Sequence, residues 1–239
     1  MITIQPTELL TGVHMSGDYW DFDALVEAIY ALTGDENRYY DYLGSRQRLL
    51  GTCLKLRQAS SGEHEIELVV NGIHRGITKK RQRIFPEKNI YFVVDILMPE
   101  LLFTALALND FIALYKETVD DSEWSSPVAT ARLFQAKVAD CIEPFMSEKH
   151  FVIFLATLHA KSPLFFRYAP QYVDMLNIEY LALSKSEREQ SLTAFALRLL
   201  AEDDTYEILK QELLGVTSYS KQALHEVPLS LKYPETIYW

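Results

Sequence analysis

Cysteine is scarce in this chain of 239 residues, which contains only Cys53 and Cys141. Both lie inside apolar helical patterns, so we expect two buried free thiols and no disulfide framework. Glycine and proline are also scarce, with nine of each, and this argues against a fibrous or disordered chain. A chain of this length can bury about 70% of its unfolded surface. We therefore expect folding without a metal or a disulfide.

The chain lacks a long hydrophobic run that is free of charges. Its most apolar stretch, residues 90–115, is interrupted by Asp95, Glu100 and Asp110 and divided by Pro99. Each charge at bilayer depth would cost about 3 kcal/mol, so the stretch predicts a buried strand followed by a core helix. Residues 1–8 do not have the pattern of a signal peptide. We expect a soluble cytoplasmic protein without a membrane partner.

The chain has a net negative charge that is not concentrated at either end. The formal net charge is −10, and each half of the chain carries −5. An evenly acidic surface repels nucleic acid and anionic lipid at long range. Neither is therefore expected as a general partner.

The common chemical signatures are missing as well. The sequence has no phosphate-binding glycine loop, nucleophile elbow, zinc-protease motif, C-x-x-C pair or EF-hand loop. These absences favour a non-catalytic protein, although many catalytic sites lack a local signature. We predict no cofactor and no metal.

The first 98 residues have mixed helix and strand patterns. Asp18 or Asp21 is placed to cap a helix that ends near Gly34, and a second helix is predicted over residues 45–60. Asn71-Gly72 favours a two-residue hairpin turn between a strand at 65–70 and a return strand at Ile73–Thr78. The remaining predicted strands cover residues 2–5, 10–16 and 90–96.

Helical patterns dominate after Pro99. The helix from Pro99 to about Glu117 is apolar nearly all round, which is typical of a central buried helix. Further helices are predicted to begin at Ser126-Pro127, Ser147, Pro170, Ser184 or Ser186, and Asp203 or Asp204. The last 24 residues are expected to wrap over the body. We predict an α+β, mostly α fold in one domain, with an α/β part (1–98) containing a small antiparallel sheet and a helical part (99–239) forming a bundle.

Two polar clusters precede the first helix. His14, Ser16 and Asp18 share one face of a predicted strand, but strand neighbours lie side by side and do not form the serial hydrogen bonds of a catalytic triad. Asp18, Asp21, Asp23 and Glu27 could hold Mg²⁺ or Ca²⁺. Acidic residues also suit a helix N-terminus, and capping is the favoured interpretation.

The histidines and one basic run complete the candidates. His64 and His74 flank the predicted hairpin near Glu63 and Glu65, where a His/carboxylate site is conceivable but an ordinary hairpin is favoured. A basic run of five cations stands out in this acidic chain; it consists of Arg75, Lys79, Lys80, Arg81 and Arg83. The run could bind an anion, although solvation or pairing within the chain is the favoured interpretation.

Two segments resemble a family of uncharacterised bacterial proteins. They are residues 10–25, Leu-Thr-Gly-Val-His-Met-Ser-Gly-Asp-Tyr-Trp-Asp-Phe-Asp-Ala-Leu, and residues 49–65, which include Leu-Lys-Leu-Arg and Gly-Glu-His-Glu. Gln58 stands where the family has His, and Glu63-His64 replaces Asp-Arg. The resemblance implies no activity. If the family has a shared site, Gly17-Asp18 and Arg57 are the matching positions.

The leading functional hypothesis is a non-catalytic binding or assembly protein that forms a homo-oligomer, because catalytic signatures are absent and the 29 aromatic residues can supply interface anchors. One alternative is an enzyme acting on a phosphorylated or charged small molecule, with a candidate polar site at Asp18, Arg57 and His64. The other alternative is nucleic-acid association through residues 75–83.

Overall fold

The computed structural model describes residues 1–73, 86–119, 124–158, 164–201, 203–220 and 223–239. Its strands are β1 (Thr3–Pro6), β2 (Gly12–Gly17), β3 (Ile66–Val70) and β4 (Lys88–Leu97). Its α-helices are α1 (Tyr19–Thr33), α2 (Leu43–Gln58), α3 (Met98–Thr118), α4 (Ser126–Ile142), α5 (Glu148–Thr157), α6 (Gln171–Ala182), α7 (Lys185–Leu200) and α8 (Asp204–Ser220). A small sheet and a mostly helical body confirm the predicted α+β fold class.

The first helix begins as the sequence predicts. The Asp18 carboxylate accepts a hydrogen bond from the backbone N–H of Asp21, and the Asp21 carboxylate accepts one from the N–H of Asp18. This reciprocal pair satisfies two N–H groups that the first turn cannot satisfy itself. The helix ends at Gly34, whose φ of 60° suits glycine. Capping is thus the role that the structure gives to Asp18 and Asp21.

The sheet is antiparallel, with the strand order β1-β2-β4-β3. Val13 lies opposite Ile96 and Met15 opposite Val94, and these four side chains are buried in the core. Alternate residues of a strand point to opposite faces, so His14 and Asp95 lie on the other face, where His14 Nδ1 is 2.5 Å from Asp95 Oδ1. One face of the sheet therefore belongs to the core.

The two edges of the sheet differ. At one edge, β1 has only four residues and ends in Pro6, which has no backbone N–H to donate. At the other edge, β3 contains no proline and pairs with β4 on one side, with Leu68 opposite Ile90. In the described part of the chain, no strand lies along the other side of β3.

The described partner of β3 is β4. Of the predicted return strand Ile73–Thr78, only Ile73 lies within the described residues, so that strand stays a prediction. The Asn71 side-chain amide donates to Pro86 O and to Asn89 Oδ1, both at 2.9 Å. These bonds fasten the end of β3 to the start of β4. β4 is ten residues long and rich in β-branched and aromatic residues, which suits it to pair with β3.

The helix α3 is the centre of the molecule. It is long and apolar enough to cross a membrane, but 83% of its most apolar 18-residue stretch is buried inside the protein. The interpretation of this region as a strand followed by a core helix is confirmed. A single cluster of buried side chains surrounds α3 and includes residues from both the 1–98 and the 99–239 parts.

Candidate functional site

The three residues of the predicted polar site lie in different local surroundings. Asp18 caps α1 and lines a cleft of about 240 Å³ together with Trp20 and Lys137. Arg57, in the last turn of α2, lies 3.3 Å from Glu27 Oε1 and stacks over the Tyr30 ring. His64 is exposed after the π-helical turn Ala59–Glu63. No hydrogen bond or ion pair among the described residues joins any two of the three.

The other candidates have simple surroundings. Ser16 Oγ lies 2.7 Å from Thr3 Oγ1 on β1, and His14 lies beside Asp95. The basic run (Arg75, Lys79, Lys80, Arg81 and Arg83) and His74 lie outside the described residues, so their roles stay predictions. Within the described ranges, no group of three or more His, Cys, Asp or Glu side chains is placed to hold a metal ion.

A partly buried polar cluster that the sequence did not reveal joins three helices. We call Arg48, Glu100, Asp174, Asn177 and Tyr233 the Arg48 cluster. The Arg48 guanidinium donates to both oxygens of Glu100 and to both oxygens of Asp174, at 2.5–3.0 Å. It also donates to the carbonyl of Pro170 at 3.0 Å. Bidentate pairs of this kind are among the strongest hydrogen bonds in proteins.

The electrostatics of the Arg48 cluster keep the arginine charged. Burial alone would lower the pKa of Arg48, but the attraction of Glu100 and the hydrogen bonds of Asp174 outweigh burial and raise it. Tyr233 donates to Asp174 Oδ1 at 2.7 Å and accepts from the Asn177 amide at 2.9 Å. Burial, together with the charge of Asp174, raises the pKa of the Tyr233 hydroxyl.

A cleft of about 330 Å³ opens beside the Arg48 cluster, and Thr52, Lys55, Asp95 and Trp239 also line it. The charged groups at its base are already bonded to one another. The Arg48 donors are occupied by two carboxylates and a carbonyl, so the guanidinium has little capacity left for an anionic substrate. The arrangement is suited to fastening the C-terminal segment to α2, α3 and α6.

The most unusual surface lies where the sheet leaves the helical body. Four aliphatic side chains point to one face of the β3–β4 hairpin, and we call them the apolar hairpin face. They are strongly exposed: Ile66 by 51%, Leu68 by 61%, Val70 by 70% and Ile90 by 55%. Large contiguous apolar patches are rare on monomers and mark sites of interaction.

The apolar hairpin face continues the core face of the sheet. Ile66 lies opposite Phe92, which packs against the core, and Val94 and Ile96 follow on the same side of β4. Glu65 and Glu67 alternate with the apolar residues and therefore point to the other face. The strand thus has the pattern of a half-buried strand, but the described helices do not cover its apolar side.

Comparison with known proteins identifies a family. A family model described as a domain of unknown function (DUF6904) matches residues 2–239. The chain belongs to this family. No curated protein and no solved structure matches it. The expected membership of an uncharacterised family is confirmed, and the DUF6904 match covers nearly the whole chain instead of the two short segments that first suggested a resemblance.

The sequence of this DUF6904 chain indicated part of the apolar hairpin face but not the Arg48 cluster. The alternation of Glu and aliphatic residues over 65–70 predicted the strand of the apolar hairpin face, but not that this face would lie outside the core. The Arg48 cluster had no local signal, since Arg48 is 52 residues from Glu100 and 126 residues from Asp174.

Proposed function

We propose that this chain is a non-catalytic binding or assembly protein of the bacterial cytoplasm, and that it binds another protein chain with the apolar hairpin face. One observation carries the proposal. Four aliphatic side chains on one face of β3 and β4 are each more than half exposed and extend the core face of the sheet. Burying such side chains stabilises a contact by roughly 25 cal/mol for each Å² removed from water.

The edge of β3 along which no described strand lies adds a second element of recognition. A strand edge offers a row of backbone donors and acceptors to a second strand, and the alternate side chains beside it supply specificity. Natural proteins usually protect such edges with proline, lysine or a covering element. β3 contains no proline and no lysine, and no described strand lies along this edge, which supports its use as a binding edge.

The two alternatives stay predictions with less support. The enzyme hypothesis needs Asp18, Arg57 and His64 to meet, whereas Asp18 caps α1 and Arg57 pairs with Glu27. The nucleic-acid hypothesis depends on residues 75–83, which lie outside the described residues.

A photocrosslinking experiment in cells tests the proposal. A benzophenone amino acid is placed at position 68, and in a control strain at position 208. Leu68 and Ile208 are both exposed by 61%, but Ile208 belongs to a different element, α8. We expect one dominant adduct from position 68, identified by mass spectrometry, and no equivalent adduct from position 208.

A second substitution in the same strand makes the experiment specific. Val70→Lys, combined with the probe at position 68, should abolish the adduct, because a charge would then enter the apolar contact. The proposal is overturned if position 68 gives no adduct, or if the adduct survives Val70→Lys unchanged.

A further inference from the structure

The hydrogen bonds between β3 and β4 determine which residues of β3 direct their backbone N–H and C=O groups away from β4. Val93 N–H donates to Glu65 O, and Asn71 N–H donates to Glu87 O. Hydrogen-bonded and non-hydrogen-bonded pairs alternate along an antiparallel ladder, so the odd-numbered residues of β3 direct their backbone groups towards β4. Ile66, Leu68 and Val70 therefore direct their N–H and C=O groups away from β4, towards the edge along which no strand lies in the described residues.

The charges of β3 restrict how two copies of this strand can pair. When a two-fold axis relates the two strands of an antiparallel pair, one residue lies on the axis opposite its own copy, and we call it the centre. A residue a given number of positions before the centre then lies opposite the residue of the second copy that is the same number of positions after it. A centre at Glu67 places Glu67 against its own copy, and a centre at Ile66 places Glu65 against Glu67. Like charges directly opposite each other destabilise a strand pair, which disfavours both centres.

A centre at Leu68 removes this conflict. Glu67 then lies opposite Val69 of the second copy, and Glu65 lies opposite Asn71. The residues whose backbone groups point away from β4 then lie opposite one another, Leu68 opposite Leu68 and Ile66 opposite Val70. This pairing gives about six backbone hydrogen bonds between the copies. A centre at Val69 is poorer, because Ile66 would lie opposite Gly72, which follows the end of the strand and has a φ of 77°.

We infer that the partner of the apolar hairpin face is a second copy of this chain, joined by antiparallel pairing of the two β3 strands about Leu68 into one continuous sheet. The inference rests on the proposed function and names its partner. In this arrangement the aliphatic side chains of the two copies lie directly beside one another across the new strand pair. Each loses water on the side that faces the second copy, and the outward backbone groups of both edges are satisfied.

The first test is the mass of the purified full-length protein in solution. Light scattering after size-exclusion chromatography, from low to high micromolar concentration, should give twice the monomer mass for the wild type. Leu68→Lys should give the monomer mass at concentrations where Ile208→Lys remains a dimer. A monomeric wild type at every concentration overturns the inference, and so does an equal response of the two variants. Circular dichroism checks that both variants are folded.

The second test reads the register with engineered cysteines. In a hydrogen-bonded antiparallel pair the opposite Cα atoms are about 5.5 Å apart, within disulfide range. Leu68→Cys should therefore form a disulfide-linked dimer on mild oxidation. Val70→Cys alone should not, because its two copies would be more than 10 Å apart along the strands. A mixture of Ile66→Cys and Val70→Cys proteins should form a linked dimer.

The background of the cysteine test is low. Cys53 and Cys141 are buried, and burial raises the pKa of their thiols to about 12 and about 11, so they supply little reactive thiolate. Efficient linkage through Val70→Cys alone, with none through Leu68→Cys, would overturn the register about Leu68.

The outcomes separate this inference from the proposed function. A monomeric purified protein whose position 68 crosslinks in cells to a different protein overturns the second-copy inference and leaves the binding function. Absence of any adduct at position 68 overturns the binding function itself. A self-adduct in cells together with the Leu68→Cys disulfide supports both.

Discussion

Asp110 is a buried carboxylic acid in α3. Its Oδ2 atom accepts hydrogen bonds from the backbone N–H groups of Leu164 and Phe165, at 2.9 and 2.8 Å. Its Oδ1 atom has no hydrogen-bond partner among the described residues. Burial raises the pKa of Asp110 to about 6, and the two backbone bonds only partly oppose this rise. The folded protein therefore favours the protonated form more than the unfolded chain does.

The raised pKa of Asp110 predicts a pH-dependent stability. Preferential protonation of Asp110 in the folded state adds to the free energy of unfolding. This addition is fully present below the unfolded pKa of 3.8 and is lost as the pH rises through the folded pKa of about 6. Asp110→Asn does not titrate and retains a side-chain oxygen for the two N–H groups. The free energy of unfolding of this variant should therefore rise relative to the wild type between about pH 4 and pH 7.5, by at most about 3 kcal/mol.

Urea denaturation at both pH values measures this difference. Asp140→Asn provides the control, because Asp140 is an exposed carboxylate that pairs with Lys137. The control should show no comparable trend. A constant difference between Asp110→Asn and the wild type would refute the assignment of a raised pKa.

At the scale of elements, the Arg48 cluster connects parts that are distant in the sequence. Arg48 belongs to α2, Glu100 to α3, Asp174 and Asn177 to α6, and Tyr233 to the C-terminal segment. The Arg48 side chain is 14% exposed and has two carboxylate partners. A charge left in such a site without its partner is strongly destabilising.

Two arginines of α2 allow a matched comparison of buried and exposed ion pairs. Arg48→Met should lower the free energy of unfolding by about 3–5 kcal/mol, because the buried Glu100 and the partly buried Asp174 would lose their cation. Arg57→Met should lower it by no more than about 1 kcal/mol, because Arg57 and Glu27 are both more than half exposed. Guanidinium denaturation of both variants measures the two losses. Equal small losses would show that the Arg48 cluster does not stabilise the fold.

Local signals in the sequence predicted most of the individual elements. Asp18, Ser147 and Ser184 lie at helix N-caps, as their positions before apolar periodic runs indicate. The partner of β3 could not be derived in this way. Asn71-Gly72 favours a tight turn locally, but the pairing depends on β4, a strand that begins 18 residues after the end of β3.

The candidate site was less predictable than the fold. Asp18 and Arg57 are conspicuous in the sequence, yet their bonds are those of a helix cap and a surface ion pair. Leu68 is inconspicuous, because an aliphatic residue in a strand normally faces the core. Its exposure depends on which helices pack against β3, and no local pattern specifies that packing.

At the scale of the whole molecule, one core joins the two parts that the sequence distinguishes. Its buried cluster contains Val13 and Ile29 from the first part and Phe103 and Tyr172 from the second. The side chains of α3 lie in this cluster over most of the helix. The two parts therefore share buried surface that neither could retain alone.

This shared core supports the prediction of a single domain with one cooperative unfolding transition. Differential scanning calorimetry should give a calorimetric enthalpy equal to the van't Hoff enthalpy of the same unfolding event, per mole of the unit that unfolds. Tryptophan fluorescence and far-ultraviolet circular dichroism should change together. Two separate transitions would show that residues 1–98 and 99–239 unfold independently.

The unequal edges of the sheet also determine where assembly stops. If β3 pairs with its own copy, the contact is isologous, and the β3 edges of both copies are paired with each other. The outer strand on either side of the combined sheet is then β1, which has four residues and ends in Pro6. A filament would require a second receptive edge on each copy, and β1 is a poor one. The asymmetry between the two edges in the described part of the sheet thus favours a closed pair over an indefinite polymer.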